Sequence, residues 1–302
     1  MALESWNDSV AKSSILDFVS RVTNEGGADY VPAAERVAVF DNDGTLWCEQ
    51  PIQVQIFFLI DRVKELAEKD PAMKERQPFK ALLEQNFSEL LGLGKQAAIE
   101  LFAATHAGMS DEEFDAMACS WFASAEHPKF GRLFKHCTYW PQVELLSYLR
   151  DHGFKTYIVS GGGVDMMRAY AEEAYGIARE NVIGSSMKLR FEINEGRADL
   201  MKVGELNSFD DREAKPANIG LHIGRRPLLA FGNSDGDLAM MRYTKAGAGP
   251  RLALLLRHDD GEREYAYDRE FKLSPLSEAL EKAAEYGITI VSMKQDWNVV
   301  FA

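Results

Sequence analysis

Val37-Ala38-Val39-Phe40-Asp41-Asn42-Asp43-Gly44-Thr45 is the stretch that decides the fold. Its four apolar residues read as a strand buried on both faces, as in a parallel sheet. The run stops at two carboxylates, Asp41 and Asp43, one residue apart and followed by a glycine. Open α/β sheets bind ligands outside the carboxyl ends of their strands, so chemistry belongs at this point. Two acids facing a crevice from a strand end suit a metal site, a nucleophile with a general acid, or both. Taken alone, the same residues also suit a solvated turn in which Asp and Gly merely break the strand.

Working outward, residues 8–24 place Val10, Ile15, Phe18, Val19 and Val22 at amphipathic helical spacing before Gly26-Gly27. After Thr45, Pro51 fits the first turn of a helix whose apolar positions are Val54, Phe57, Phe58, Val63 and Leu66. From there to about His136 the pattern is helical, with Ala81–Leu91, Lys95–His106 and Asp111–Ala125 as the best segments. Ser110 with Glu113 predicts a capping box for the last of these. Pro141 then opens a helix to about Arg150, which Asp151-His152-Gly153 ends.

Lys155–Val159 reads as a second buried strand, running into Ser160-Gly161-Gly162-Gly163 and a helix from Val164 to Tyr175. Arg190–Ile193 and Ala198–Val203 look like a small hairpin. A helix near Lys215–His222, the strand Pro227–Phe231, and the loop Gly232-Asn233-Ser234-Asp235-Gly236-Asp237 follow. Leu252–Leu256 and Ile288–Val291 are further strands, separated by a helix over Leu276–Tyr286. Strands alternating with helices imply an α/β fold, a Rossmann-like parallel sheet with helices on both faces. A mostly helical block interrupts it after the first strand, dividing the chain into a core (1–48 and 139–302) and an inserted cap (49–138).

The chain has 302 residues, 46% apolar and 27% charged, which is an ordinary globular composition. Against 34 basic side chains stand 47 acidic ones, a net charge of −13. Such a field repels nucleic acid and anionic membrane, and no basic stripe overcomes it. A small anionic substrate is admissible where a local cation or metal reverses the sign. Cys48, Cys119 and Cys137 are widely spaced with no C-x-x-C, so buried thiols are expected rather than disulfides or zinc. No transmembrane run occurs, and Met1–Ser13 is polar rather than signal-like. A cytoplasmic location is the simplest expectation. A periplasmic one applies if a signal has been removed.

Four loops converge on one chemistry. The first carries Asp41 and Asp43. The second offers Ser160 and the N–H groups of the following glycines at a helix start, a ready anion site. Lys215 begins a helix, where a cation gains nothing from the dipole, so it is either an ordinary surface lysine or placed there for another reason, such as a phosphate. Asn233, Asp235 and Asp237 supply oxygen ligands of the kind magnesium prefers.

These stretches together resemble the haloacid dehalogenase superfamily of phosphohydrolases, in the style of its phosphoserine phosphatase-like branch. VAVFDNDGT matches the first motif, YIVSGG the second, AKPANIG the third and AFGNSDGDLAMM the fourth, spanning 37–241. The helical insert matches the position of the family's cap. The resemblance implies Asp41 as nucleophile forming an aspartyl-phosphate, and Asp43 as acid, then base. It implies Ser160 as a phosphoryl donor and Lys215 as the neutralising cation. Thr45, Gly161 and Gly162 join Ser160 and Lys215 around the phosphate. Mg2+ would sit on the Asp41 carboxylate, the Asp43 carbonyl and the fourth motif, Asn233 with Asp237. Dehalogenases of the superfamily lack the second acid, so Asp43 favours phosphate chemistry.

One position departs from the family. Residue 233 is Asn where the first ligand of the fourth motif is usually Asp, which predicts a differently tuned metal site. Asp237 then supports a metal water or Lys215, and Asp235 is the other candidate ligand. Trp47 and Glu49 either face substrate beneath the cap, Glu49 suiting an amine, or serve as hinge packing and solvated charge. The leading expectation is a magnesium-dependent phosphatase acting on a small phosphorylated metabolite. A phosphate-binding protein without turnover and a phosphotransferase to an alcohol are the alternatives. Oligomeric state is not readable, and the Gln295-Asp296-Trp297-Asn298 tail either covers a sheet edge or mediates self-association.

Overall fold

The structure, a computed structural model, describes residues 3–302. Strand β1, Val37–Phe40, is buried at every position. The two-residue period of a strand sends neighbouring side chains to opposite faces. Ala38 and Phe40 accordingly join one apolar core, and Val37 and Val39 a second across the sheet. Full burial stabilises side chains of this size by roughly 1.5–3 kcal/mol each, so a strand apolar on both faces belongs in the middle of the sheet. There it pairs in parallel with β2 (Lys155–Gly163) on one side and β5 (Leu229–Gly232) on the other. Phe40 lies opposite both Ile158 and Phe231, so the three strands end level with one another.

Beyond β2 lies β3 (Val182–Asn194), parallel to it at first and then antiparallel to β4 (Arg197–Ser208). Beyond β5 lies β6 (Leu252–Asp259), flanked by the two-residue β7 (Ala266–Tyr267) and by β8 (Thr289–Ser292). The order is β4-β3-β2-β1-β5-β6-β7, with β8 also on β6. Helix α1 (Val10–Thr23) buries Ile15, Phe18, Val19 and Val22 in the first core.

Between β1 and α7 (Trp140–Asp151) the regular elements are helical: α2 (Val54–Lys69), α3 (Phe79–Leu83), α4 (Phe87–Gly92), α5 (Gly94–His106), α6 (Asp111–Phe122) and short 3-10 turns. This is the inserted cap. Ser110 and Glu113 form the expected reciprocal capping box at α6. Lys202 of β4 is buried 2.8 Å from Asp111 of the cap and 2.5 Å from Asp165 of α8 (Val164–Arg168). That cation ties cap, hairpin and core together. The remaining helices are α9 (Ala171–Tyr175), α10 (Ala214–His222), α11 (Leu238–Lys245), α12 (Glu278–Lys282) and α13 (Met293–Asp296). Ile219, Leu238, Met240 and Ala279 from α10–α12 fill the second core, so helices cover both faces.

Several local expectations are corrected. Pro51 lies outside α2, in a cis Gln50–Pro51 peptide, and the helix begins at Val54. The single helix over Ala81–Leu91 is divided at Gln85, whose φ is +54°, and Asn86 caps the second piece. The helix Val164–Tyr175 is divided at Ala169-Tyr170, and Leu276–Tyr286 contracts to α12. The hairpin is longer than its apolar residues suggested. The C-terminal Trp297 is buried against Trp6 and Tyr139, ring centroids 5.9 and 5.5 Å away, so the tail folds onto its own chain's N-terminal segment.

Candidate active site

The level ends of β1, β2 and β5 bring the first, second and fourth motifs to one cleft of about 270 Å³. Asp41, Asp43, Ser160, Gly161, Gly162 and Lys215 all line it. A larger depression of about 510 Å³, around Arg225, Arg226 and Arg251, contains none of them.

Lys215, near the start of α10, places Nζ 2.6 Å from Asp41 Oδ1 and 2.6 Å from Asp237 Oδ1. Burial alone would lower its pKa, but the Asp237 and Asp41 carboxylates outweigh that and raise it, so the ammonium is held charged. Burial and the Asp237 carboxylate push Asp41 upward, with Lys215 opposing them. The other Asp237 oxygen accepts the N–H groups of Asn233 at 3.0 Å and Ser234 at 3.1 Å, and the Ser234 hydroxyl. Asp237 is thus fully engaged in holding Lys215 and its own loop.

Asp43 Oδ1 accepts from the Trp47 indole N–H at 2.7 Å and from the Asn42 amide at 3.3 Å. Burial pushes its carboxyl up to about 6, against the Trp47 hydrogen bond and Lys215. Trp47 itself stacks on Tyr170, with centroids 4.3 Å apart and planes at 22°. It therefore packs behind Asp43 rather than facing substrate. On the opposite wall the Ser160 hydroxyl accepts the Gly162 N–H at 3.2 Å. The Gly163 N–H donates to Gln55 Oε1 of the cap at 2.8 Å, and Phe102 of the cap and Phe209, which follows β4, also line the cleft. Gln55, Phe102, Phe209 and Arg212 line the cleft without having been singled out from the sequence, where nothing distinguishes them from other helix and loop residues.

Thr45 and Glu49 do not reach the cleft wall. Both are fully buried. The Thr45 hydroxyl donates to Asn233 Oδ1 at 3.0 Å. Glu49 Oε1 accepts from Asn233 Nδ2 at 2.8 Å and from the Tyr267 hydroxyl at 2.9 Å. Neither a substrate contact nor a solvated charge describes Glu49, whose pKa burial and then the Asp43 carboxylate hold well above the ordinary range. Asp235 also lies apart, its carboxylate accepting the N–H groups of Ser277, Glu278 and Ala279.

Among the described residues no group of three or more His, Cys, Asp or Glu is arranged to hold a metal ion. What the turn does offer is a set of oxygens. Within those residues nothing donates to the second Asp41 oxygen or to the Asp43 carbonyl, and Asn233 Oδ1 accepts a single hydrogen bond. Three buried or half-buried carboxylates, Asp41, Asp43 and Asp237, face one lysine, leaving an excess of negative charge.

A model of the haloacid dehalogenase-like hydrolases matches residues 38–242, from the first core strand to the helix after the fourth motif. The chain belongs to the haloacid dehalogenase-like hydrolase family. Solved structures repeat this family's fold at low identity. A conserved protein of unknown function from Anaerococcus prevotii is 17% identical, with a TM-score of 0.58 over 93% of this chain and 91% of that one. Another from Bordetella pertussis is 17% identical, with a TM-score of 0.51 over 85% and 98%. A phosphoserine phosphohydrolase-like protein from Francisella tularensis, also 17% identical, is more distant in shape, with a TM-score of 0.42 over 83% and 98%. No curated protein matches the chain. No described helix is long and apolar enough to cross a membrane.

Proposed function

We propose that this hydrolase is a magnesium-dependent phosphatase acting on a small phosphomonoester. The reading is carried by one observation, the Lys215 ammonium held 2.6 Å from Asp41 in a cleft that Asp43 and Ser160 share. Two unit charges 4 Å apart repel by about 4 kcal/mol at an effective dielectric of 20, which a carboxylate attacking a phosphate must overcome. Lys215 lowers that repulsion, and Asp237 holds the lysine in place. Asp41 attacks phosphorus, the bond to the leaving oxygen breaks, and Asp43 gives that oxygen its proton. Asp43 then takes a proton from the water that attacks the acyl phosphate, releasing phosphate and regenerating Asp41. Ser160 and the N–H groups of Gly161 and Gly162 hold phosphoryl oxygens through the transfer.

Magnesium fits the oxygens available, namely the Asp41 carboxylate, the Asp43 carbonyl and the Asn233 amide oxygen, a donor set for a hard cation. When bound it would offset the charge excess and polarise the phosphoryl group. Asp237 serves Lys215 instead of ligating. Residues 49–138 act as the cap and 1–48 with 139–302 as the core, the cap limiting access to small substrates and excluding water. The net charge of −13 disfavours nucleic acid and anionic membrane as partners, and a cytoplasmic location fits this reading.

Hydrolysis of an aryl phosphate with magnesium and with chelator, in wild type and Asp41→Asn, tests the reading. Turnover that needs magnesium and vanishes in the variant supports it. Undiminished hydrolysis by Asp41→Asn contradicts it.

A further inference from the structure

The cleft that holds Asp41, Asp43 and Ser160 adjoins a second space. Gln55, Phe102, Gly161 and Phe209 line both. The second is a recess of about 40 Å³ between the cap, α8 and the β3–β4 hairpin. Phe102, Met166, Met187, Leu206 and Phe209 give it apolar walls. Asp165 borders it too, but its carboxylate is taken by Lys202 at 2.5 Å.

Two polar side chains in this apolar setting carry an atom without a partner. Gln55 Oε1 accepts the Gly163 N–H at 2.8 Å, and because a backbone N–H only donates, the orientation of the amide is fixed. That leaves Gln55 Nε2 buried, with no hydrogen-bond partner among the described residues. A buried donor in that state costs free energy until an acceptor meets it. The second side chain is His106, which ends α5, lines the recess and is 4% exposed. Its Nδ1 lies 2.8 Å from the Thr105 hydroxyl oxygen, whose own hydrogen goes to the Leu101 carbonyl at 2.7 Å. Nδ1 therefore carries the ring proton and donates it to Thr105. Burial keeps the imidazole neutral, with its pKa lowered to about 3. Nε2 is then a bare lone pair, and no described residue donates to it.

An unpartnered donor and an unpartnered acceptor thus border one small recess. An ammonium only donates, and an ionised carboxylate only accepts. A hydroxyl does both through a single heavy atom, which suits a space of this size. We propose that the recess is a leaving-group subsite for a hydroxyl, which donates to His106 Nε2 and accepts from Gln55 Nε2. The substrate class is then a phosphomonoester of a small diol, with a short apolar chain between its two oxygens. This rests on the phosphatase reading above and adds the alcohol to it.

The test compares alkyl phosphates of two to four carbons with their ω-hydroxyl counterparts of equal length. The readout is kcat/KM for phosphate release by the full-length protein with magnesium. Two neutral hydrogen bonds correspond to roughly 5- to 150-fold, so the hydroxylated ester leads by that factor at the length that reaches the recess. His106→Phe removes the acceptor. Gln55→Glu keeps an oxygen for the Gly163 N–H and removes the donor. Each variant cuts the ratio severalfold, and because the ratio is taken within one protein, a general loss of folding or activity cancels from it. A wild-type ratio near one at every length, as a recess holding only water would give, overturns the subsite. So does a ratio that neither variant changes. No release from any ester overturns the phosphatase reading itself, a different result from release without preference.

Discussion

Replacing Trp47 by Phe separates the general acid from the rest of the site. The indole N–H lies 2.7 Å from Asp43 Oδ1, while its ring stacks on Tyr170 at 4.3 Å. Phenylalanine keeps most of that stacking and deletes only the donor. A hydrogen bond to an ionised group contributes about 1.5–3 kcal/mol, which corresponds to roughly 10- to 150-fold in kcat/KM when the group is misplaced. The loss also has a signature. Asp43 is needed most when the departing oxygen is a poor leaving group, so an alkyl phosphate should suffer the full loss and an activated aryl phosphate much less. Initial rates of phosphate release from both substrates, at saturating magnesium, give the two ratios. Equal losses on both substrates, or none on either, would refute the role of Trp47 as the group that holds the acid.

Two further predictions concern stability. His106 of the cap is buried against Phe114 (ring centroids 4.4 Å apart), and burial, helped by Lys202, lowers its pKa from 6.5 to about 3. The unfolded chain thus binds a proton below about pH 6.5 that the folded chain refuses, so stability is full above that pH and is lost as pH falls toward 3. By about pH 5 the loss is ~2 kcal/mol, and urea unfolding of wild type and His106→Phe at pH 7.5 and 5 should differ by that amount; equal acid sensitivity would sink the argument. Gly44→Ala forces a non-glycine residue to φ +75° and into the Asn233–Glu49 pair. The left-handed backbone costs ~1–2 kcal/mol and the overlap ~1–3, so unfolding free energy should fall by about 2–5 kcal/mol. A loss under about 1 kcal/mol would show that the turn tolerates a side chain.

What the sequence disclosed and what it concealed follow from how far apart the contributing residues lie. Strand β1 was legible because burial on both faces leaves an unbroken apolar run, and the acids ending it are separated by a single residue. Lys215 was legible through its awkward place at a helix start. Residues Val182 and Ile183, which open β3 beside β2, form too short an apolar run before Gly184 to announce a strand. The break at Tyr170 carries no glycine or proline. That ring is claimed instead by Trp47 and Phe122, and such tertiary packing overrides local propensity. Glu49 was misread because a lone glutamate past a turn is usually solvated, and its partner Asn233 lies far along the chain. The amide at position 233 was the available signal, since a buried amide N–H needs an acceptor.

The most direct test of the account is to trap the phosphorylated enzyme. Wild-type protein mixed with substrate and magnesium is quenched in acid within one turnover and mapped by peptide mass spectrometry. The account predicts one acid-stable, base-labile phosphoryl group on the peptide containing Asp41, and none in Asp41→Asn. Rapid turnover with no phosphorylated peptide, or a phosphoryl group on another residue, would contradict the nucleophilic role given to Asp41.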